Sequence, residues 1–194
     1  MNAKTLARSP ELMRPEDTVL VVVDVQEKLM PLVSGARRIV WNLRRLLDGA
    51  AAVGLKTLAT EQYPQGLGKT LPELASRLQD IPSKVTFSCG GCEPFAARLE
   101  ELGASKVMVA GIEAHVCVQQ TVMDLLASGY RVYVPVDAVG SRYPVDYETG
   151  LKRMESAGAT LTTTEAALFE WCQVSGTPTF KKISALVRET PPEG

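Results

Sequence analysis

Apolar positions along this chain follow two rhythms in turn. Thr18-Val19-Leu20-Val21-Val22-Val23 is an unbroken, mostly β-branched run that stops at Asp24, the pattern of a central parallel strand covered on both faces. Ile39, Val40, Leu43, Leu46, Leu47, Ala50 and Val53 then recur at helical spacing, and Gly54 supplies the stop. Leu55–Thr60 predicts a second strand, Glu61–Thr70 a loop, Leu71–Leu78 a short helix and Ser83–Phe87 a third strand. Pro94 near its start and Gly103 past its end bracket the next helix. Lys106–Ala110 and Arg131–Val136 read as strands four and five, separated by an amphipathic helix over Val116–Ala127. A helix at Val145–Ala157, a strand at Thr160–Thr163 and one or two helices within 166–188 complete the pattern.

This alternation predicts an α/β fold, a doubly wound three-layer sandwich around a central, mostly parallel six-stranded sheet. The 194 residues suit one domain, with a core over about 17–165 and a helical tail over 166–190. No internal repeat, low-complexity tract or interdomain linker interrupts it.

Composition narrows the function classes. A hydrophobic share of 45% and a charged share of 22% are those of a soluble globular protein. A net charge of −1 gives no reason to expect nucleic acid or an anionic membrane as partner. No run approaches the roughly 20 apolar residues of a membrane span, and no secretory signal is visible. Four cysteines do not suggest a disulfide scaffold, so a reducing cytoplasm is the expected compartment.

The chemistry centres on Cys117, placed where the fourth strand gives way to a helix. Unpaired amides and the helix dipole in a first helical turn favour a thiolate, and such crossovers are where open α/β sheets place their sites. A buried, inert cysteine is the competing reading of that context. Asp24 ends the first strand and Lys84 lies at the third. Ends of neighbouring parallel strands lie about 5 Å apart, so the three side chains can converge. The lysine would lower the thiol pKa and the aspartate would accept its proton. Each also has a plainer role, since Asp often caps a helix and Lys is usually a solvated charge.

The blocks Val22-Val23-Asp24-Val25-Gln26, Ser83-Lys84-Val85-Thr86-Phe87-Ser88 and Gly111-Ile112-Glu113-Ala114-His115-Val116-Cys117-Val118, in this order and spacing, resemble the isochorismatase-like cysteine hydrolases. The resemblance runs from about Asp17 to Glu165, and Thr60-Glu61-Gln62-Tyr63-Pro64 is similar to the isochorismatase domain-containing subgroup. It implies Asp24 as general base, Lys84 as electrostatic partner and Cys117 as nucleophile. It also implies a cis peptide between Ile112 and Glu113, and an oxyanion hole from the amides of Glu113 and Cys117. The implied reaction is hydrolysis of a small-molecule carbonyl compound, of amide C–N type, through a thioester and without a cofactor. A homo-oligomer is implied too, with the apolar tail near Phe169, Trp171 and Phe180 as a candidate interface.

His115 is the single histidine. Two residues from Cys117 on a helix it points to another face, so Asp24 is the better base and His115 reads as pocket wall. Related nicotinamidases bind a metal through Asp and His residues in the loop after the second strand. Here that loop, Glu61–Gly68, has neither, and no metal is expected. Glu61, Gln62, Tyr63 and Leu67, with Gln26 and Phe87, are instead expected to line the substrate pocket.

Two motifs mislead. Gly68-Lys69-Thr70 ends like a phosphate-binding loop, but Tyr63 stands where the motif needs glycine. Cys89-Gly90-Gly91-Cys92 reads as a loop with two incidental thiols; a redox pair or half a zinc site are the rivals. The rival to a hydrolase is a catalytically silent binding or scaffold protein. The three filled triad positions favour the enzyme.

Overall fold

A computed structural model describes residues 6–193. In chain order its main elements are β1 (Thr18–Val23), α1 (Ala36–Val53), β2 (Lys56–Gln62), α2 (Pro64–Leu67), α3 (Pro72–Ala75), β3 (Ser83–Lys84), α4 (Glu93–Glu101) and β4 (Lys106–Ile112). There follow a π-helical turn (Ala114–Val118), α5 (Gln119–Ala127), β5 (Arg131–Pro135), β6 (Val139–Gly140), α6 (Pro144–Ser156), β7 (Thr160–Thr162), α7 (Thr164–Cys172) and α8 (Pro178–Val187). The sheet order is β3-β2-β1-β4-β5-β7, all parallel, with β6 paired to the end of β4.

The alternation of side chains along the central strands builds two cores. Leu20 and Val22 of β1, with Met108, Ala110 and Ile112 of β4, pack under α1, α7 and α8. Val19, Val21 and Val23, with Val107 and Val109, pack under α4, α5 and α6. A strand buried on both faces needs the continuous apolar run that opened the sequence pattern. Each such side chain contributes roughly 1.5–3 kcal/mol when fully buried.

The chain runs outward from β1 through β2 to β3, then crosses back to β4 on the other side of β1. β1 and β4 therefore border the switch point, where open α/β sheets leave a crevice beyond their carboxyl ends. Gly111 lets them come together there. Its φ is +118°, and a Cβ on it would lie 2.2 Å from the Val23 carbonyl oxygen.

Several details differ from the sequence pattern. Among the described residues the sheet has seven strands, because Val139–Gly140 pairs with Gly111 and Ile112 as a short addition to the six in the main order. β3 spans only two residues instead of Ser83–Phe87, because the Thr86 and Phe87 carbonyls turn back to accept from the Lys84 ammonium. β2 runs on through Glu61 and Gln62, and α2 follows, where a loop was expected. The helix after β4 does not begin as an α-helix. The Val118 amide donates to the Glu113 carbonyl at 3.2 Å, a five-residue π-type closure, and regular α-helix begins at Gln119. Trp171 is buried against the α1 side of the sheet, which removes it from the expected tail interface; Phe169 stays exposed.

Candidate active site

Asp24 is the first residue past β1, and its φ of +53° is a left-handed backbone that Asp tolerates better than most residues. It is fully buried. Its amide donates to the Thr60 carbonyl at 3.2 Å. Its carboxylate accepts from Thr60 Oγ1 on Oδ1 at 2.8 Å and from Lys84 Nζ on Oδ2 at 2.6 Å.

Lys84 closes β3 with its ammonium turned inward. Besides Asp24 it donates to Gln62 Oε1 at 2.8 Å, the Phe87 carbonyl at 2.9 Å and the Thr86 carbonyl at 3.2 Å. Those oxygens replace the water that a buried ammonium loses.

Cys117 lies in the π-helical turn and is 6% exposed. Burial pushes its thiol pKa up, the Asp24 carboxylate beside it adds to that, and the Lys84 charge only partly offsets both. This corrects the expectation of a lowered thiol pKa. Burial and the neighbouring carboxylate thus both favour the neutral thiol over the thiolate at this position. The turn also begins one residue after the Ile112–Glu113 peptide, which is cis. The amides of Val116 and Val118 both donate to the Glu113 carbonyl, flanking the Cys117 amide between them. The Glu113 side chain accepts from the amide and Nε of Arg142 at 3.2 and 3.0 Å.

The other expected pocket residues divide into two groups. Gln26 is fully buried and its amide is consumed within the fold: Nε2 donates to the Gln62 and Gly68 carbonyls, and Oε1 accepts from the Gln62 amide. Glu61 is likewise taken up, by the amide and hydroxyl of Thr70 and by Lys69 Nζ. Burial works against its ionised form, yet those donors hold its carboxyl below the ordinary carboxylate range. Both brace the loop after β2 through these hydrogen bonds. Gln62 orients Lys84 and donates to the Val85 carbonyl at 2.9 Å. Tyr63 and Phe87 are exposed, 53% and 52%, and Leu67 is half-buried. His115 shares its Nδ1 with Ser141 Oγ at 2.9 Å, and its Nε2 lies 3.8 Å from Asp146 on α6. Among the described residues, no group of three or more His, Cys, Asp and Glu side chains comes together to hold a metal ion.

Sequence reasoning missed Thr60 and Cys89. Thr60 Oγ1 sits 3.4 Å from Cys89 Sγ, and Cys89 is buried, with its thiol pKa pushed up to about 11 by burial and by the Asp24 carboxylate. The signal for Thr60 was a polar residue at the carboxyl end of an apolar strand. For Cys89 it was a thiol two positions beyond Phe87, a residue that folds back over Lys84.

The family model for the isochorismatase domain matches residues 18–166. Isochorismatase domain-containing protein 2 of Rattus norvegicus is 37% identical over 180 residues, covering 92% of this chain and 85% of its own length. Isochorismatase domain-containing protein 1 of Salmo salar is 36% identical over 182 residues, and the chain spans only 64% of that protein's length. Among solved structures, the MAR1 ribonuclease of Caenorhabditis elegans superposes with a TM-score of 0.86 at 40% identity, over 93% of this chain and 94% of that one. Likeness over nearly the whole sheet, in sequence and in topology, leaves one conclusion: the chain belongs to the isochorismatase-domain family.

Proposed function

We propose that this protein is a metal-independent cysteine hydrolase of small carbonyl compounds, working as one domain in a reducing, cytoplasmic setting. The observation that carries the reading is the meeting of Asp24, Lys84 and Cys117 at the carboxyl edge of the sheet, from three separate strand ends. In the proposed reaction Asp24 takes the proton from Cys117 as the sulfur attacks the carbonyl carbon. The oxygen that gains the electron pair is met by the amides of Glu113 and Cys117, a contribution of about 3 kcal/mol per donor in comparable sites. The C–N bond then breaks, the amine leaves with the proton held by Asp24, and a thioester remains. Water adds to it, giving its proton back to Asp24, and the thiol is restored as the acid departs. Lys84 keeps the carboxylate in place and compensates its charge throughout.

Exposed Tyr63, Val85 and Phe87 frame the ends of β2 and β3 and suit an apolar substrate portion or a second copy of the chain in a homo-oligomer. A second reading, action on RNA, comes from the named activity of the Caenorhabditis elegans relative. One screen tests both: carboxamides, ureides, activated esters and a mixed-sequence RNA, each against wild type and Cys117→Ala. Turnover of a carbonyl compound that vanishes in Cys117→Ala supports the proposal. RNA cleavage that persists in Cys117→Ala, or no turnover of any carbonyl class, overturns it.

A further inference from the structure

The residues around the triad carry a second polar path that the proposed reaction does not use. Thr60 is joined to Asp24 twice, through the Asp24 amide to the Thr60 carbonyl at 3.2 Å and through Thr60 Oγ1 to Asp24 Oδ1 at 2.8 Å. A hydroxyl has one proton, and an ionised carboxylate can only accept, so that proton goes to Asp24. Cys89 Sγ, 3.4 Å from the same oxygen, must then be the donor to Thr60. A thiol pushed up to about 11 stays protonated and suits that role. The path continues on the other side. The Cys89 amide donates to Thr121 Oγ1 at 2.9 Å, and Thr121 Oγ1 donates to the Cys117 carbonyl at 2.7 Å. Base and nucleophile are thus tied by Thr60, Cys89 and Thr121, all three buried.

We propose that Thr60 is a positioning residue of this site, holding Asp24 Oδ1 through its hydroxyl while the Cys89 thiol holds that hydroxyl. The inference rests on the cysteine-hydrolase reading and adds to it the means by which the base is aimed. With Oδ1 engaged by Thr60 and Oδ2 by Lys84, the carboxylate cannot rotate about its Cβ–Cγ bond without losing a donor. A core role for Thr60 would need only its shape, which valine reproduces; a positioning role needs the hydroxyl.

The test is the rate of acrylamide addition to Cys117 as a function of pH, followed by intact mass and assigned by peptide mapping against Cys89, Cys92 and Cys172. Thermal melts check that each variant is folded. Thr60→Val should slow addition at neutral pH about tenfold and move the acid limb of the profile up by about one pH unit, the size of one hydrogen bond to a charged group. Thr60→Ser should restore both to near wild type. Cys89→Ala should fall between, and it carries the test alone if Thr60→Val does not fold: an unmoved acid limb there overturns the proposal. A folded Thr60→Val that superimposes on wild type, or a Thr60→Ser as impaired as Thr60→Val, overturns the positioning role and leaves the hydrolase reading standing. A wild-type Cys117 that does not react overturns both.

Discussion

Lys84 Nζ lies 2.6 Å from Asp24 Oδ2, and the two side chains are 1% and 0% exposed. A pair this buried gains little net stability, because the cost of taking both charges out of water offsets their attraction. Removing one partner is different, since the other charge is left buried and alone. Lys84→Met is therefore expected to destabilise by about 3–5 kcal/mol, read from urea unfolding. The double variant Asp24→Asn, Lys84→Met should recover much of that loss while remaining inert toward substrate. Equal stability of the single and double variants would show that the charge itself is not what matters.

The raised thiol pKa of Cys117 changes what its reactivity should look like. A freely ionising thiol gives one sigmoid centred near its pKa of about 8.5. A thiol that passes its proton to a neighbouring base as it reacts need not ionise first, so its reactivity should hold level through neutral pH. Acrylamide addition is expected to show an acid limb, a plateau through neutral pH and a second rise only at strongly alkaline pH. Asp24→Asn should abolish the plateau and slow addition at neutral pH by about a hundredfold or more. A single sigmoid unaffected by Asp24→Asn would rule out aspartate as the base.

How much of this was legible beforehand differs between backbone and site. The β-branched run Thr18–Val23 and the helical spacing from Ile39 to Val53 specify β1 and α1 nearly to the residue, because burial on both faces and a single apolar stripe leave clear periodicities. The two-residue strands β3 and β6 have no period to read. The π-type turn at Cys117 was hidden for another reason: its i to i+5 closure is set by how β4 ends, not by helix propensity. Asp24, Lys84 and Cys117 stood out as chemical residue types at strand ends. Their environment did not. Whether the lowering effect of Lys84 on the thiol pKa prevails depends on burial and on Asp24, quantities that only the folded arrangement supplies. The hydrogen-bond partners of Gln26 and Glu61 were hidden for the same reason, since they come from the loop that folds against both residues.

Two carboxyls away from the triad give the fold an acid limit. Burial works against the ionised forms of Asp17 and Glu61, but their donors outweigh it. Lys106 Nζ at 2.7 Å, with the Thr18 hydroxyl and the Arg14 amide, holds Asp17 below its ordinary 3.8. Thr70 and Lys69 hold Glu61 below its ordinary 4.5. A folded-state pKa below the unfolded one means stability that is complete above the unfolded value and lost as pH falls through the folded one. The melting temperature should therefore be insensitive to these groups above about pH 5 and fall steeply below about pH 4. Asp17→Asn and Glu61→Gln should each lower the neutral-pH melting temperature and flatten the acid fall. An acid fall of unchanged steepness in both variants would assign it to other carboxyls.

Gly111 offers the sharpest steric test of how the site is assembled. It is the penultimate residue of β4, paired with Val23 at the end of β1, directly before Asp24. A Cβ there would lie 2.2 Å from the Val23 carbonyl oxygen and 2.7 Å from its nitrogen, both backbone atoms that no side-chain rotation can move aside. The φ of +118° adds strain for any L side chain. Gly111→Ala must therefore push β1 and β4 apart at the edge where Asp24 and Cys117 meet. A loss of about 3–5 kcal/mol is expected in urea unfolding, within the range of severe backbone clashes. Any folded fraction should show Cys117 labelling slowed at least tenfold, because a displacement of about 1 Å is enough to misalign a base and its nucleophile. Gly35→Ala is the matched control. It also has a positive φ, +70°, but nothing lies within 4 Å of its Cβ position, so it should lose stability without losing Cys117 reactivity. Equal labelling rates in the Gly111 and Gly35 variants would show that the close approach of β1 and β4 does not set the geometry of the site.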